Sequence, residues 1–595
     1  MTDPASHRPH PDWRLVLLVF AVAVLILVGR TAIARANLPF FADTDDAMRM
    51  VRVLDFVHGQ AWYDMLAHRL NTPFGAELHW SRLVDLPPAG LLLVFTPLMG
   101  PANALIAAGY VWPMALLGIL LVVSALLANR LLGPEGVLPA LVLPLLSPAV
   151  TDEFTPGRVD HHGVLIILTL ATVWTAVEAV QRPRLAIVCG LLAATALAIA
   201  VESLPFMAAA ILVMGLFWVV DAGRAATMRG FGLALAGGAM VHLAIFRPPG
   251  RWLEMACDVL SPVYVAVTLA VAAAFTLASL LPLRAPWQRL LLLAVLGGLG
   301  MILVALVYPQ CLAGPYGQLD PWLQSNWLSG IVEAKPWATS VFEFPAYTIA
   351  VGIPVLLAVL VMLYRLWRQP EGRPQWAVLL LFLACAALVM LAQVRGARLA
   401  IMPAIPAGAW LIITARHHYL ARPRVATTIG LVASWLIFSG VLLALVVTGV
   451  TNLAPGRSQQ VANALASKDP CLMPSAFADL AALPPERIMS PIDLGAHILL
   501  YTPHEVVAAP YHRNQQGVRD AFRFFNDPIA EARAILSDRG IGLVVLCPGM
   551  AEVQGLPDRA SDSFASLYAA NRLPPWLVDV SLPASALTIF AVLPQ

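Results

Sequence analysis

Apolar residues along this chain come in blocks of about twenty, the length that crosses a bilayer, with polar residues confined to the gaps between them. Such blocks lie near 13–34, 105–129, 135–151, 161–180, 185–201, 204–221, 230–247, 261–281, 289–308, 345–365, 376–393, 398–415 and 424–450, which predicts about thirteen transmembrane helices. The first block follows Arg14 as a signal peptide would, and Ala34-Arg35-Ala36 would suit a cleavage site. Its apolar run outlasts a signal h-region, so it reads as an uncleaved span. The stretch 87–101 is apolar but short and broken by Pro87, Pro88, Pro97 and Pro101, and reads as interfacial or re-entrant. After 451 the pattern changes. Short strand-like runs at 487–489, 505–508, 542–546 and 587–592 alternate with helical stretches such as 527–538, which predicts a small α/β domain over 452–595.

Charge orients this arrangement. With the N-terminus in the cytoplasm, alternate connections carry Arg130, then Arg182 and Arg184, Arg224 and Arg229, Arg284 and Arg289, Arg365, Arg368 and Arg373, and finally Arg416, Arg422 and Arg424. Short basic loops belong on the cytoplasmic side. The C-terminal domain and the longer loops, about 35–104 and about 309–344, then lie outside. Over the 595 residues, 59% are hydrophobic and 12% charged, against roughly a quarter charged in soluble chains, and the net charge is only +2. Nothing points to nucleic acid. The six cysteines show no metal-ligand spacing; Cys471 and Cys547, both in the external segment, could pair or could remain buried thiols.

The external face gathers the ionisable groups. The run 42–49 holds Asp43, Asp45, Asp46 and Arg49 directly after the first span. Arg158, Asp160, His161 and His162 precede the fourth. Asp320 and Glu333 lie in the long loop after the ninth, and Arg395 and Arg398 in the turn before the twelfth. Taken singly, such residues cap helices, anchor helix ends at headgroups or sit solvated in loops. Together on one side, carboxylates with a histidine suit a hard divalent cation such as Mg²⁺ or Mn²⁺. Such an ion neutralises a departing phosphate, arginines hold that phosphate, and a remaining carboxylate activates an acceptor. Glu202, between two spans, reads as a loop charge.

The order of these motifs resembles the catalytic subunit of oligosaccharyltransferase, within the C-type (GT-C) glycosyltransferases, over nearly the whole chain. Asp43 followed by Arg49 is similar to the family's first acidic motif. Trp62-Tyr63-Asp64, Asn71-Thr72-Pro73-Phe74-Gly75 and His79-Trp80 resemble the rest of its first loop. Gly157-Arg158-Val159-Asp160-His161-His162-Gly163 resembles the second acidic motif, with His162 in place of a metal-binding Glu. Ser329-Gly330-Ile331-Val332-Glu333-Ala334-Lys335-Pro336, after Leu319-Asp320-Pro321, looks like the Ser-x-x-Glu loop, and Val394-Arg395-Gly396-Ala397-Arg398 like the arginine turn near the lipid phosphate. In the external domain Ser490-Pro491-Ile492-Asp493-Leu494-Gly495 keeps the Asp-x-Gly of the family's Trp-Trp-Asp-Tyr-Gly signature without its tryptophans. Tyr511-His512-Arg513-Asn514 stands at its later turn.

The resemblance implies a GT-C bundle over 1–451 with an external α/β domain, in the inner membrane. The implied reaction is metal-dependent, inverting transfer of a sugar or oligosaccharide from a polyprenyl-(pyro)phosphate donor to an extracytoplasmic glycan, lipid or protein acceptor. Asp43 and Glu333 would be catalytic; Asp43, Asp160, His162 and Glu333 would hold the metal; Arg395 and Arg398 would bind the donor phosphate. Asp45, Asp46, Arg49, Arg158, His161, Asp493, His512 and Arg513 would contact acceptor or donor, with Asp45 and Asp46 competing for the role of Asp43. Loss of the tryptophans argues against an asparagine sequon and keeps open a monosaccharide transferase acting on lipid A, O-antigen or another envelope glycan. A transporter or flippase of lipid-linked glycans would carry ionisable groups in mid-span, where this sequence has nearly none.

Overall fold

A computed structural model describes residues 10–451, 468–583 and 585–594. The expected start of the external domain at 452 lies outside them. The chain is a multi-pass membrane protein. Among the described residues, eleven helices are long and apolar enough to cross a bilayer, and up to thirteen if each of two bent pairs counts as one span. Proline opens many of them: Pro101–Leu132, Pro262–Leu280, Pro286–Val307 and Pro345–Arg368 all begin on a residue whose missing N–H would be unsatisfied there anyway. Helices pack closely through small residues. A Cβ on Gly190 would stand 2.6 Å from the Phe231 carbonyl oxygen, so only glycine lets Leu185–Ile199 lie against Ala225–Phe246.

Two expected straight spans are bent. Pro134–Leu145 and Pro148–Phe154 meet at 74°, and Val425–Phe438 and Gly440–Thr451 at 91°. The second bend turns at Ser439, and the returning segment is held by Val441 N–H donating to the Leu146 carbonyl at 2.8 Å.

The stretch around 87–101 forms a continuous helix, Arg82–Met99, in spite of its prolines. Its first turn starts beside Gln60 and Asp64, to which Arg82 donates. The next helix meets the same face again, since Gly157 N–H donates to the Gly109 carbonyl at 2.9 Å. Arg130 at that helix's far end reaches Glu178 at the opposite side of the bundle. Arg82–Met99 therefore starts and finishes on one face. The sequence reads it as short and broken because of Pro87, Pro88, Pro97 and Pro101; the helix starts earlier, at Arg82, and its Asp85 is fully buried among Arg49 (2.6 Å), Arg52 (3.0 Å) and Arg82 (3.7 Å).

The segment 35–104 is more than a loop. It carries helix Thr44–Val57 and a two-residue hairpin of β1 (Leu66–Ala67) and β2 (Ala76–Glu77). The C-terminal part contains a five-stranded mixed sheet made of β3 (Arg487–Met489), β4 (Glu505–Val506), β5 (Leu543–Leu546), β6 (Leu577–Asp579) and β7 (Thr588–Val592), in the order β4-β3-β5-β7-β6. β6 has no counterpart in the sequence reading, because its exposed Val578 and Asp579 give no apolar alternation. Val506 N–H donates to the Arg69 carbonyl and Thr72 N–H to the Val506 carbonyl, so the first loop extends the β4 edge. Ala47, Met48, Val51, Leu70 and Trp80 share one apolar core with this sheet. The disulfide Cys471–Cys547 joins two parts of the C-terminal region, and a second, Cys257–Cys311, joins two loops of the bundle.

Candidate active site

Helix Thr44–Val57 is capped by Asp43, whose carboxylate accepts the Asp45 N–H at 2.9 Å. Capping fixes the first turn and points Asp43, Asp45 and Asp46 together. Opposite lies the turn before helix His162–Ala179. Gly157 has φ +99°, and a Cβ there would stand 2.1 Å from the Phe40 carbonyl oxygen, so this turn requires glycine. Asp46 then accepts the Val159 and Asp160 N–H groups at 2.6 and 3.0 Å, tying the two motifs together.

Arg158 sits at the centre. Its guanidinium reaches Asp43 (2.8 Å), Asp46 (2.9 Å), Glu153 (3.0 Å) and Asp160 (3.0 Å). Asp160 accepts from the His162 backbone N–H at 2.9 Å and meets His162 Nδ1 at 2.6 Å. On the other side Arg398 bonds Glu153 (3.0 Å), His162 Nε2 (3.0 Å) and Glu333. Arg395 lies 4.0 Å from Glu202, which is 3.8 Å from His162 Nε2. The long loop over 309–344 is docked there by Val394 N–H donating to the Lys335 carbonyl.

Carboxylates outnumber arginines in this cluster, and their acidities record it. Burial and the charges of Asp43 and Asp160 push Asp45 up to about 7. Asp46 is raised well above the carboxylate range by burial and by its acidic neighbours, against the pull of Arg158. Asp43 and Asp160 stay ionised: burial would raise both, but Arg158 holds Asp43 down, and His162 with Arg158 holds Asp160 far down. Burial keeps the His161 imidazole neutral; its ring stacks on His162 at 4.2 Å. The Asp43 side chain remains 44% exposed, so it faces open space.

The structure thus brings Asp43, Asp45, Asp46, Arg158, Asp160, His161, His162, Glu333, Arg395 and Arg398 to one place. It adds Glu153, which the sequence reading missed, and Glu202, which it set aside. The signal for Glu153 was present: an acidic residue ending a span, five positions before Arg158. Arg49 is elsewhere, paired with Asp85 and stacked over Trp80 at 4.4 Å. Asp320 caps helix Pro321–Asn326 and pairs with Arg519.

Asp493 pairs with Lys468 at 3.0 Å. That lysine is held in its charged form, against burial, by Asp493, Glu552 and Asp43. His512 and Arg513 both bind Asp258 (2.6 and 2.7 Å), and against burial they keep that carboxylate far below its ordinary range.

Two cavities flank the cluster. One of about 580 Å³ is lined by Arg30, Arg35, Asp43, Asp46 and Arg158. The other, about 290 Å³, is lined by Glu77, Asp258, Tyr316, Gln318, His512 and Arg513. Tyr316 joins the second to the cluster, its ring 5.7 Å from the Arg395 guanidinium.

No family model matches the chain, and no curated protein does. Solved structures do. The chain is similar to the archaeal oligosaccharyltransferase AglB of Archaeoglobus fulgidus in complex with an inhibitory peptide and a dolichol-phosphate (TM-score 0.63, 15% identity, 98% of this chain and 74% of that one). It is also similar to the A. fulgidus oligosaccharyltransferase tethered to an acceptor peptide containing the NVT sequon (0.60, 13%, 98% and 74%). A third match is that enzyme with Zn and sulfate (0.56, 14%, 92% and 71%). The fold is therefore the GT-C type that the motifs resemble, with its membrane bundle and C-terminal α/β part.

Proposed function

We propose that the chain is an integral membrane glycosyltransferase that moves a sugar or oligosaccharide from a polyprenyl-phosphate or -pyrophosphate donor to an extracytoplasmic acceptor. The observation that carries this reading is the convergence of Asp43, Asp160, His162, Glu333 and Arg398, from four separate segments, between two cavities. One cavity can take each substrate. The A. fulgidus enzyme of this fold binds a dolichol-phosphate and an acceptor peptide, which supports a lipid-linked donor here.

A divalent cation fits the donor set. Glu153, Asp160 and His162 offer ligand atoms within 4.8 Å of one another, and the surplus of carboxylates favours added positive charge. Asp43, Asp160, His162 and Glu333 would hold it, and it would supply Lewis-acid neutralisation of the phosphate as the glycosidic bond breaks. Arg395 and Arg398 would orient that phosphate, as planar guanidinium groups do. Asp43, ionised and half-exposed, would accept the proton of the attacking acceptor group, with displacement from the opposite face inverting the sugar carbon. The Lys468–Asp493 pair, within the field of Asp43, would contact the acceptor. His512 and Arg513 would line the sugar's side. The two disulfides favour an oxidising compartment for the cluster face, hence an extracytoplasmic site in the inner membrane.

One observation favours monosaccharide transfer to an envelope lipid or glycan over peptide glycosylation. Pro491 and Ile492, at the positions of the family's tryptophans, are buried and present no aromatic platform.

The test is mass spectrometry of lipid-linked sugars and envelope glycans in cells carrying wild type or Asp43→Asn. A glycan that disappears while its polyprenyl-linked donor accumulates is expected. Unchanged pools with the variant present and folded overturn the reading.

A further inference from the structure

A buried arginine stands without a partner close to the cavity of Asp258 and His512. Arg247 directly follows helix Ala225–Phe246 and is 8% exposed. Its Nη1 is buried and has no acceptor among the described residues, and no described carboxylate pairs with the guanidinium. Burial lowers its pKa against the pull of Glu77 and Glu254. Those two carboxylates are already taken. Arg251 holds Glu77 at 2.8 and 2.9 Å and Glu254 at 2.7 Å, and Arg513 stands 3.3 Å from Glu77. A buried guanidinium in this state costs free energy until an acceptor reaches it.

The place for that acceptor is a cavity of about 40 Å³ that Arg247 lines. It has room for about three water-sized groups. Leu78, Trp80, Leu243, Phe246 and Leu260 give it an apolar wall. His242, five residues before Arg247, also lines it; its Nδ1 is buried and unpartnered among the described residues, while Nε2 lies 3.0 Å from Thr195 Oγ1. Ser81 lines it too, and its Oγ accepts the Leu83 N–H, which leaves the hydroxyl proton to give. Glu77 and Arg513 are walls both of this cavity and of the one of about 290 Å³. A small group seated on Arg247 can therefore belong to a larger molecule held next door.

We infer that the saccharide transferred carries a carboxylate, as a hexuronic acid does, and that Arg247 receives it in the small cavity while the ring occupies the larger one. The inference rests on the transferase reading. Chemistry and size select the group. A planar guanidinium binds a planar carboxylate by two parallel N–H···O bonds. A phosphate, with its four oxygens, exceeds the room available, and under that reading it already has its place at Arg395 and Arg398. A neutral hydroxyl would leave the buried charge uncompensated. The Ser81 hydroxyl and the Nδ1–H tautomer of His242 can donate to the same carboxylate.

Calorimetric titration of the full chain in detergent, with glucuronic acid 1-phosphate and with glucose 1-phosphate, tests this, since the two probes differ at the carboxylate. The wild type should prefer the uronic acid by about tenfold; Arg247→Gln should lose that preference and Arg247→Lys should keep part of it. The wild-type comparison needs no variant to fold. Equal affinity of the wild type for the two probes, or a preference that survives in Arg247→Gln, would overturn the proposal. Acetate bound by the wild type as tightly as glucuronic acid 1-phosphate would overturn it in favour of a free carboxylate. In cells carrying Asp43→Asn, accumulation of a donor whose sugars are all neutral would overturn this inference and leave the transferase reading standing. Unchanged pools would overturn that reading, and the calorimetry would still decide whether Arg247 binds a carboxylate.

Discussion

Arg398 Nη1 lies 3.0 Å from His162 Nε2, while His162 Nδ1 lies 2.6 Å from an Asp160 carboxylate oxygen. The imidazole ring is held from both sides, as second partners hold metal-binding imidazoles. The nitrogen that a cation would use is the one Arg398 now covers. Arg398 can serve a lipid phosphate only by leaving it, so phosphate and metal should bind together. Arg398→Ala should therefore raise Mn²⁺ affinity of the substrate-free protein, by about tenfold, while weakening the binding of a polyprenyl phosphate. Calorimetric titration of both ligands into wild type and variant checks this; a variant with weaker Mn²⁺ binding would contradict it.

Asp43 has two roles that different substitutions separate. Alanine removes the N-cap of helix Thr44–Val57 at a cost of about 1 kcal/mol, whereas asparagine keeps a capping oxygen and loses the charge. Under the proposed role in acceptor activation, Asp43→Asn should melt within a degree or two of wild type and lose about 10²–10⁴-fold in turnover. An active Asp43→Asn would move the role to Asp45 or Asp46.

The sequence made the bundle and most of the cluster legible because both depend on patterns that survive in one dimension. Apolar runs of bilayer length mark helices, and charged residues cannot lie within them unpaired. What it hid were residues whose meaning is a partner. Glu153 and Glu202 look like ordinary loop acids until Arg158, Arg398 and His162 are placed beside them. Arg49 matched a motif by spacing, yet it turns to Asp85, because the helix it sits on presents one face to Arg158 and another to Trp80. The bends at 146–147 and 439 were equally invisible, since a bent apolar run and a straight one have the same composition.

Asp85 is the structural counterpart of the cluster. Three arginines converge on one carboxylate that is fully buried. Asp85→Ala would leave their charge uncompensated in the shared core of the first loop, and should cost about 3–5 kcal/mol. The expected outcome is a large drop in the melting temperature of the purified protein; a change within error would mean that water reaches these arginines.

Burial and the charge of Asp493 push Glu552 up to about 7, although its carboxylate accepts the Ile492 N–H. A carboxyl group with a raised folded-state pKa binds its proton more tightly folded than unfolded. Its contribution is complete below the ordinary value of 4.5 and is lost as pH rises through about 7. Glu552→Gln, which mimics the protonated form, should flatten the decline of the melting temperature between pH 5 and 8. Asp45 titrates in the same window with the same sign, so part of the slope should remain in the variant.

The disulfides give the orientation a direct chemical test. Cys257–Cys311 and Cys471–Cys547 lie on the face that carries the cluster, while Cys189 and Cys385 sit in membrane helices as free thiols. Disulfides persist outside the cytoplasm and are reduced within it. If the cluster faces outward, protein denatured in alkylating reagent without reductant should expose two reactive thiols, and six after reduction. Six at once would place this face in the cytoplasm and remove the basis for an extracytoplasmic acceptor. The same bond matters to stability: Cys471 and Cys547 are 76 residues apart, so breaking their link by Cys471→Ser with Cys547→Ser should cost about 2–5 kcal/mol. That loss should appear in the melting of the C-terminal sheet, because Cys547 directly follows β5, at the centre of that sheet.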